Sequence, residues 1–175
     1  MHQGSPTPPF TLRRLTAADA ADFRALRLEG LRSQPEAFGA SWDEEASRPL
    51  PWFAERLERN VVIGGWRDGL MLLGTAGLHV PDAVKTRHKA VLWGMFVRPE
   101  ARGTGLAAAL VACLLEQAAT IVEAVQLSVA TTNTAAVRLY AKAGFREYGV
   151  ERRALKIGDR YCDGLLMERE LAEPG

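Results

Sequence analysis

The stretch VRPEARGTGLAAAL, Val97 to Leu110, decides how the chain is read. It follows a nearly uninterrupted apolar run, Ala90 to Val97 (AVLWGMFV), of the kind expected for a central strand buried on both faces. The run ends at Arg98 and Pro99, EARGTG reads as a loop, and Leu106, Leu110, Cys113 and Leu114 then recur at helical spacing to about Thr120. Strand, glycine turn and helix in that order leave successive amide N–H groups at the positive end of a helix dipole, which is a built-in cradle for phosphate. Glycines at 103 and 105 suit it, because the chain must turn tightly and admit ligand oxygens without a β-carbon in the way.

Downstream, Val125 to Ala130 reads as another buried strand, and Thr132 or Asn133 caps a helix holding Val137, Tyr140 and Ala141 that stops at Gly144. Phe145 to Leu155 and Arg160 to Leu171 form a closing pair of strands across Gly158 and Asp159. Upstream, Val61 to Trp66 and Leu70 to Val80 flank Arg67, Asp68 and Gly69, an Asp-Gly junction that marks an antiparallel hairpin. Phe10 to Leu15 is a first strand, and Thr16 with Asp19 opens a helix of about four turns carrying Phe23, Leu26, Gly30 and Leu31. Pro35 to Pro51 reads as a loop with a short helical piece, and Trp52 to Arg59 as a second short helix. The order β, α, α, β, β, β, α, β, α, β, β predicts a mixed sheet with helices on its faces, hence α/β or α+β. Residues 1–9, with their prolines, are expected to be a disordered tail, and residues 10–172 a single domain.

Composition narrows the partners. With 175 residues, 22 Lys and Arg against 21 Asp and Glu and a formal charge of +1, the chain lacks the basic excess of a nucleic-acid binder. An anionic ligand must be gripped locally. Cys113 and Cys162 make neither a CxxC pair nor a metal-ligand spacing, so no metal is expected. The longest apolar run, Leu106 to Leu115, is too short to cross a bilayer, and the opening MHQGSPTPPF lacks the pattern of a secretory signal. A cytoplasmic location is expected.

Three phosphate-binding patterns compete for the glycine turn. A P-loop needs GxxxxGK followed by Ser or Thr, and here Leu and Ala follow the glycines. A dinucleotide fingerprint, GxGxxA, is formally matched by Gly103, Gly105 and Ala108. Five residues, however, separate the strand end from its first glycine, and the next strand closes on Ala130, Thr131 and Thr132 without the acid that holds a ribose. The third pattern is RxxGxA. RGTGLA, Arg102 to Ala107, resembles the acetyl-CoA pyrophosphate loop of the Gcn5-related N-acetyltransferases (GNAT), and NTAAVRLYAKAGF, Asn133 to Phe145, resembles that family's second motif at its usual separation.

The resemblance implies a mostly antiparallel seven-stranded sheet splayed between strands 4 and 5, with helices on both faces. It implies that backbone groups of Phe96 and Val97 hold the pantetheine arm of acetyl-CoA as a pseudo-strand, and that amides of Arg102, Gly103, Thr104, Gly105, Leu106 and Ala107 hold the pyrophosphate. Asn133 matches a cofactor-contacting position and is also placed as a helix cap. Tyr140 matches the residue that protonates the departing thiolate, and two turns separate it from Asn133 on the same helix face. Direct attack of a neutral amine on the thioester is implied, with an oxyanion stabilised by an amide near Val97.

Cys113, among Leu110, Val111 and Leu114, reads as an inert buried thiol, and Cys162 has no adjacent His. The base that deprotonates the amine is unassigned: Leu92, Trp93, Gly94 and Met95 stand where some members carry an acid, leaving Glu29, His79, Asp163 or a water chain. The resemblance places specificity on the first two helices and the last hairpin, which flank the acceptor side in the family; there Glu36, Asp43, Glu44 and Glu45 either attract a cationic amine or form a solvated loop. The partners expected are acetyl-CoA and an amine acceptor, with homodimerisation left open and neither nucleic acid nor membrane among them. The rival reading is a non-catalytic acyl-CoA-binding or sensing domain on the same fold.

Overall fold

The computed structural model describes residues 9–171, so the expectation for residues 1–8 and for residue 172 lies outside the described residues. Seven strands, β1 Thr11–Arg14, β2 Val61–Arg67, β3 Met71–His79, β4 Lys89–Val97, β5 Ala124–Ala130, β6 Arg146–Ile157 and β7 Arg160–Glu170, form one sheet in the order β1-β2-β3-β4-β5-β7-β6. Five helices join them: α1 Ala20–Ser33, α2 Trp42–Ala46, α3 Leu50–Arg59, α4 Leu106–Ala118 and α5 Thr134–Lys142. The short helical piece expected within Pro35 to Pro51 is α2, started by Ser41, which caps an acidic turn and accepts a hydrogen bond from the Glu44 amide; α3 begins at Leu50, two residues before the expected Trp52.

Local chemistry explains the main turns. Asp68 and Gly69 take φ of 52° and 69°, and the Leu70 amide donates to the Arg67 carbonyl at 3.0 Å, so the Asp-Gly signal closes the β2–β3 hairpin as expected. Asn133 caps α5 by accepting from the Ala136 amide at 3.2 Å, and Gly144 ends the following turn at φ 90°. EARGTG is not loop throughout: Pro99–Ala101 is one turn of 3-10 helix before the glycines.

Two apolar clusters lie on the two faces of the sheet. On one, Leu106, Leu110, Val111 and Leu114 of α4 pack on Ala90, Leu92, Val125 and Leu127 of the central strands. On the other, Phe23 and Leu26 of α1 and Phe53 and Leu57 of α3 pack on Trp66, Leu72 and Phe96, with Phe23 and Phe53 edge-to-face at 6.3 Å.

All pairings are antiparallel except β4 with β5. That parallel ladder runs only through Lys89↔Ala124, Ala90↔Val125 and Val91↔Gln126. Beyond it β4 stays with β3 up to Val97, and β5 stays with β7 up to Ala130, so the sheet splits. The expectation that Ala90 to Val97 is buried on both faces is therefore corrected. Ala90, Leu92 and Phe96 are buried, Val91 is exposed, and Trp93, Gly94 and Met95 are half-buried because they border the split.

The acidic segment also differs from its reading. Glu45 is neither solvated nor free to attract a ligand: Arg27 of α1 holds its carboxylate through two hydrogen bonds of 2.5 and 2.7 Å, with the side chains 6% and 4% exposed. Arg56 of α3 approaches the same carboxylate at 3.3 Å. Removing one member of a buried pair leaves an uncompensated charge, so Glu45→Gln is expected to lower the free energy of unfolding by about 3 kcal/mol, read by chemical denaturation.

Candidate active site

The split between β4 and β5 opens a cleft of about 350 Å³ that passes from the α4–α5 face to the loop joining α1 and α2. Phe96, Val97, Arg102, Ala107, Asn133 and Tyr140, singled out from the sequence, all line it. Gly103, Thr104, Gly105 and Leu106 form the turn beside Arg102 and Ala107. The Leu106 side chain points away into the core, so only its backbone can serve a ligand there.

Two features prepare one wall. The Arg98 amide donates to the Leu73 carbonyl of β3 at 2.8 Å. By strand alternation the peptide groups of Phe96 also face β3, while those of Val97 face the split. Upstream, Thr75 pairs with Phe96 but Gly77 with Trp93, so β4 carries an extra residue at Gly94–Met95, and Gly94 sits at φ 64°. This bulge bends β4 away from β5. The sequence did carry a signal for it, a lone glycine inside a strand pattern, which the run-length reading of AVLWGMFV passed over.

At the cleft mouth, the amides of Gly103 to Ala107 donate to no backbone or side-chain acceptor among the described residues. Gly103 and Gly105 adopt φ of 74° and 86°, and a β-carbon on either would project into open space. The Thr104 hydroxyl donates to the Ala101 carbonyl at 2.6 Å, bracing the turn from inside. Five unpaired amides at the N-terminus of a 13-residue helix suit a diphosphate. Arg102 adds a guanidinium, whose Nε donates to the Val97 carbonyl at 3.3 Å.

Tyr140 is buried against Phe145, ring centroids 5.7 Å apart, and borders the cleft. Burial pushes its phenol well above the ordinary value, so it holds its proton as a donor and is no base. Asn133 lines the same cleft, but its side-chain oxygen is engaged in capping α5.

None of the three residues offered as base borders the cleft. Glu29 lies 2.9 Å from Arg98 Nε in an ion-pair contact that lacks hydrogen-bond alignment. His79 Nδ1 is 3.0 Å from Asn60 Oδ1, at another cavity. Asp163 accepts from the Arg153 amide at 2.7 Å, holding a β6 bulge where Arg153 takes φ 54°. Glu36 is the carboxylate that lines both the cleft and an adjoining cavity of about 230 Å³ between the α1–α2 loop and the β6–β7 hairpin. Cys113 is half-buried rather than fully buried, and burial raises its thiol pKa.

The acetyltransferase (GNAT) family model matches residues 27–145, about two thirds of the chain, including the bulged strand, the amide turn and α5. The chain belongs to this family. Similar solved structures include a GNAT-family acetyltransferase from Streptococcus pneumoniae, 23% identical, covering 93% of this chain and 99% of that one with a TM-score of 0.82. A putative acetyltransferase from Salmonella typhimurium, solved with its cofactor acetyl-CoA, is 20% identical over 94% and 95% of the two chains, with a TM-score of 0.78. A phosphinothricin acetyltransferase from Sinorhizobium meliloti in complex with acetyl-CoA is 19% identical over 93% and 89%, with a TM-score of 0.79. These likenesses show the GNAT fold, with its mostly antiparallel seven-stranded sheet and parallel β4–β5 pair. Among the described residues no helix is long and apolar enough to cross a membrane.

A phenol whose pKa is raised stays protonated past the pH at which an ordinary tyrosine ionises, about 10. In an ultraviolet titration, Tyr140→Phe is expected to leave phenolate absorbance unchanged at that pH.

Proposed function

We propose that the protein transfers an acetyl group from acetyl-CoA to a primary amine by direct attack. The observation that carries this reading is the run of five unpaired amides, Gly103 to Ala107, at the mouth of a split sheet. Those amides bind the pyrophosphate, aided by Arg102, and the strand edge takes up the pantetheine arm at the Val97 carbonyl; the Phe96 peptide groups, expected from the sequence to share that role, are turned to β3 and do not. Acetyl-CoA, when bound, supplies an activated thioester. The Val97 amide, facing the split, is placed to stabilise oxyanion charge.

Tyr140, protonated and desolvated, donates to the leaving sulfur. Asn133 orients α5 through its cap and borders the cofactor beside it. The amine enters from the α1–α2 side, where Glu36 meets it and passes its proton to water, because an alkylammonium is not a nucleophile at neutral pH. A protonated tyrosine at the cleft favours turnover over the non-catalytic, sensing alternative.

Calorimetry with acetyl-CoA and CoA, followed by thiol release over a panel of amines, tests the reading. Saturable binding with turnover on at least one amine is expected, and absence of binding to either thiol form removes it. Gly105→Asp sets a negative charge before the diphosphate and is expected to weaken acetyl-CoA binding about tenfold, near 1.4 kcal/mol, read by calorimetry on protein of unchanged secondary structure. Tyr140→Phe is expected to lower kcat by about a hundredfold with little change in acetyl-CoA affinity, read by steady-state kinetics.

A further inference from the structure

A second cavity, of about 450 Å³, lies between α3 and the first half of β4, on the α1 and α3 face of the sheet. Two indoles, Trp52 and Trp93, supply its flat walls, and Glu55, Arg56, Arg59, Asn60 and His79 its polar ones. Trp93, which also borders the cleft, lies over Gly77, where a β-carbon would come within 2.5 Å of the indole. Arg56 stacks between Trp93 and Trp52, its Cζ 4.6 and 4.8 Å from the two ring centroids.

The charges behind those walls do not balance. Glu45 already accepts both hydrogen bonds from Arg27, and Arg56 shares the same carboxylate through one contact of 3.3 Å. Two guanidinium groups thus meet one buried carboxylate. Burial, with Arg27 nearby, lowers the Arg56 pKa, against the pull of Glu45. The other donors of Arg56 have no protein partner among the described residues. Arg59, one turn on, adds a second guanidinium to the cavity, and its own partner Glu55, also on the cavity wall, is half in solvent at 54% exposure. At one end, Asn60 donates its side-chain amide to the Arg56 carbonyl at 2.8 Å, which leaves its oxygen for His79 Nδ1–H. The polar rim is thereby fixed.

We propose that this cavity binds a small organic carboxylate with a flat apolar body, the carboxylate on the free edges of Arg56 and Arg59 and the body between Trp52 and Val91. Because Trp93 walls both cavities, the bound carboxylate adjoins the acyl-transfer cleft. It is the far end of the amine acceptor or a separate ligand, and the recognition chemistry is common to both. The binding site itself does not depend on the acetyl-transfer reading.

Benzoate and its uncharged counterpart benzamide are titrated into the full-length protein, with tryptophan fluorescence and calorimetry as readouts and with CoA absent or saturating. Saturable benzoate binding that survives CoA, at least tenfold tighter than benzamide, is expected. Arg59→Gln is expected to weaken benzoate severalfold, and Val91→Trp, which fills the cavity from an exposed strand position, to abolish it without altering CoA binding. No saturable benzoate response, equal affinity for benzamide, displacement by CoA, or indifference to both substitutions overturns the proposal. The charge comparison is made on the unaltered protein and stands even if a variant fails to fold. Acetylation of 4-(aminomethyl)benzoate faster than benzylamine marks the site as the acceptor's far end, and equal rates with benzoate still bound mark a separate ligand; either result supports the site. Failure of CoA to bind removes the acetyl-transfer reading alone and leaves the benzoate titration to decide this one.

Discussion

The structure depends on a parallel ladder that stops after three residue pairs. Lys89 to Val91 hold β5 against β4, and among the described residues no strand continues the pairing towards Val97 and Ala130. Each strand keeps its partner on the outer side, so the divergence leaves two inner edges bare without unravelling either half of the sheet. Unpaired strand edges in a sheet interior are costly unless water or a ligand meets them. Everything else at the site follows the split: the bulge at Gly94 turns β4 outward, the glycine turn lies beside the opening, and Tyr140 looks in from α5.

The buried ion pair supports that arrangement from behind. Arg27 stacks over both Phe38 and Trp93 while gripping Glu45, so α1, α2 and the bulged strand share one contact. Such pairs contribute little net stability against an apolar substitute of equal volume. Their use here is positional, since a bidentate guanidinium fixes a carboxylate in angle as well as distance. Gly94 faces Arg27 as well: a β-carbon there would lie 3.6 Å from the guanidinium.

Much of this was legible in the residues. The glycine turn, the Asn133 cap, the Asp-Gly hairpin and the Gly144 stop are signals carried by single residues with restricted backbone preferences, and the structure places each where those preferences point. Six sequence-chosen residues reach the cleft because it opens at the end of β4, beside the glycine turn and at the start of α5, the places their motifs mark. What the sequence hid depends on distant partners. Glu45 looks like one acid among several until Arg27, 18 residues earlier, folds against it. Asp163 looks like a free base until the Arg153 amide claims it. The half-exposure of Trp93 to Met95 was missed because an apolar run reads the same whether its second face meets protein or a gap.

The short ladder also has a mechanical consequence. The strands β1 to β4 and the strands β5 to β7 are two rafts moored by three rungs and by the helices lying across them. An extended ligand seated in the gap would act as the missing plank, adding backbone hydrogen bonds to both rafts, and whatever binds the folded form alone raises its resistance to unfolding. The three rungs alone would then no longer carry the join, and a filled gap would tie the two rafts along the whole length of β4 and β5.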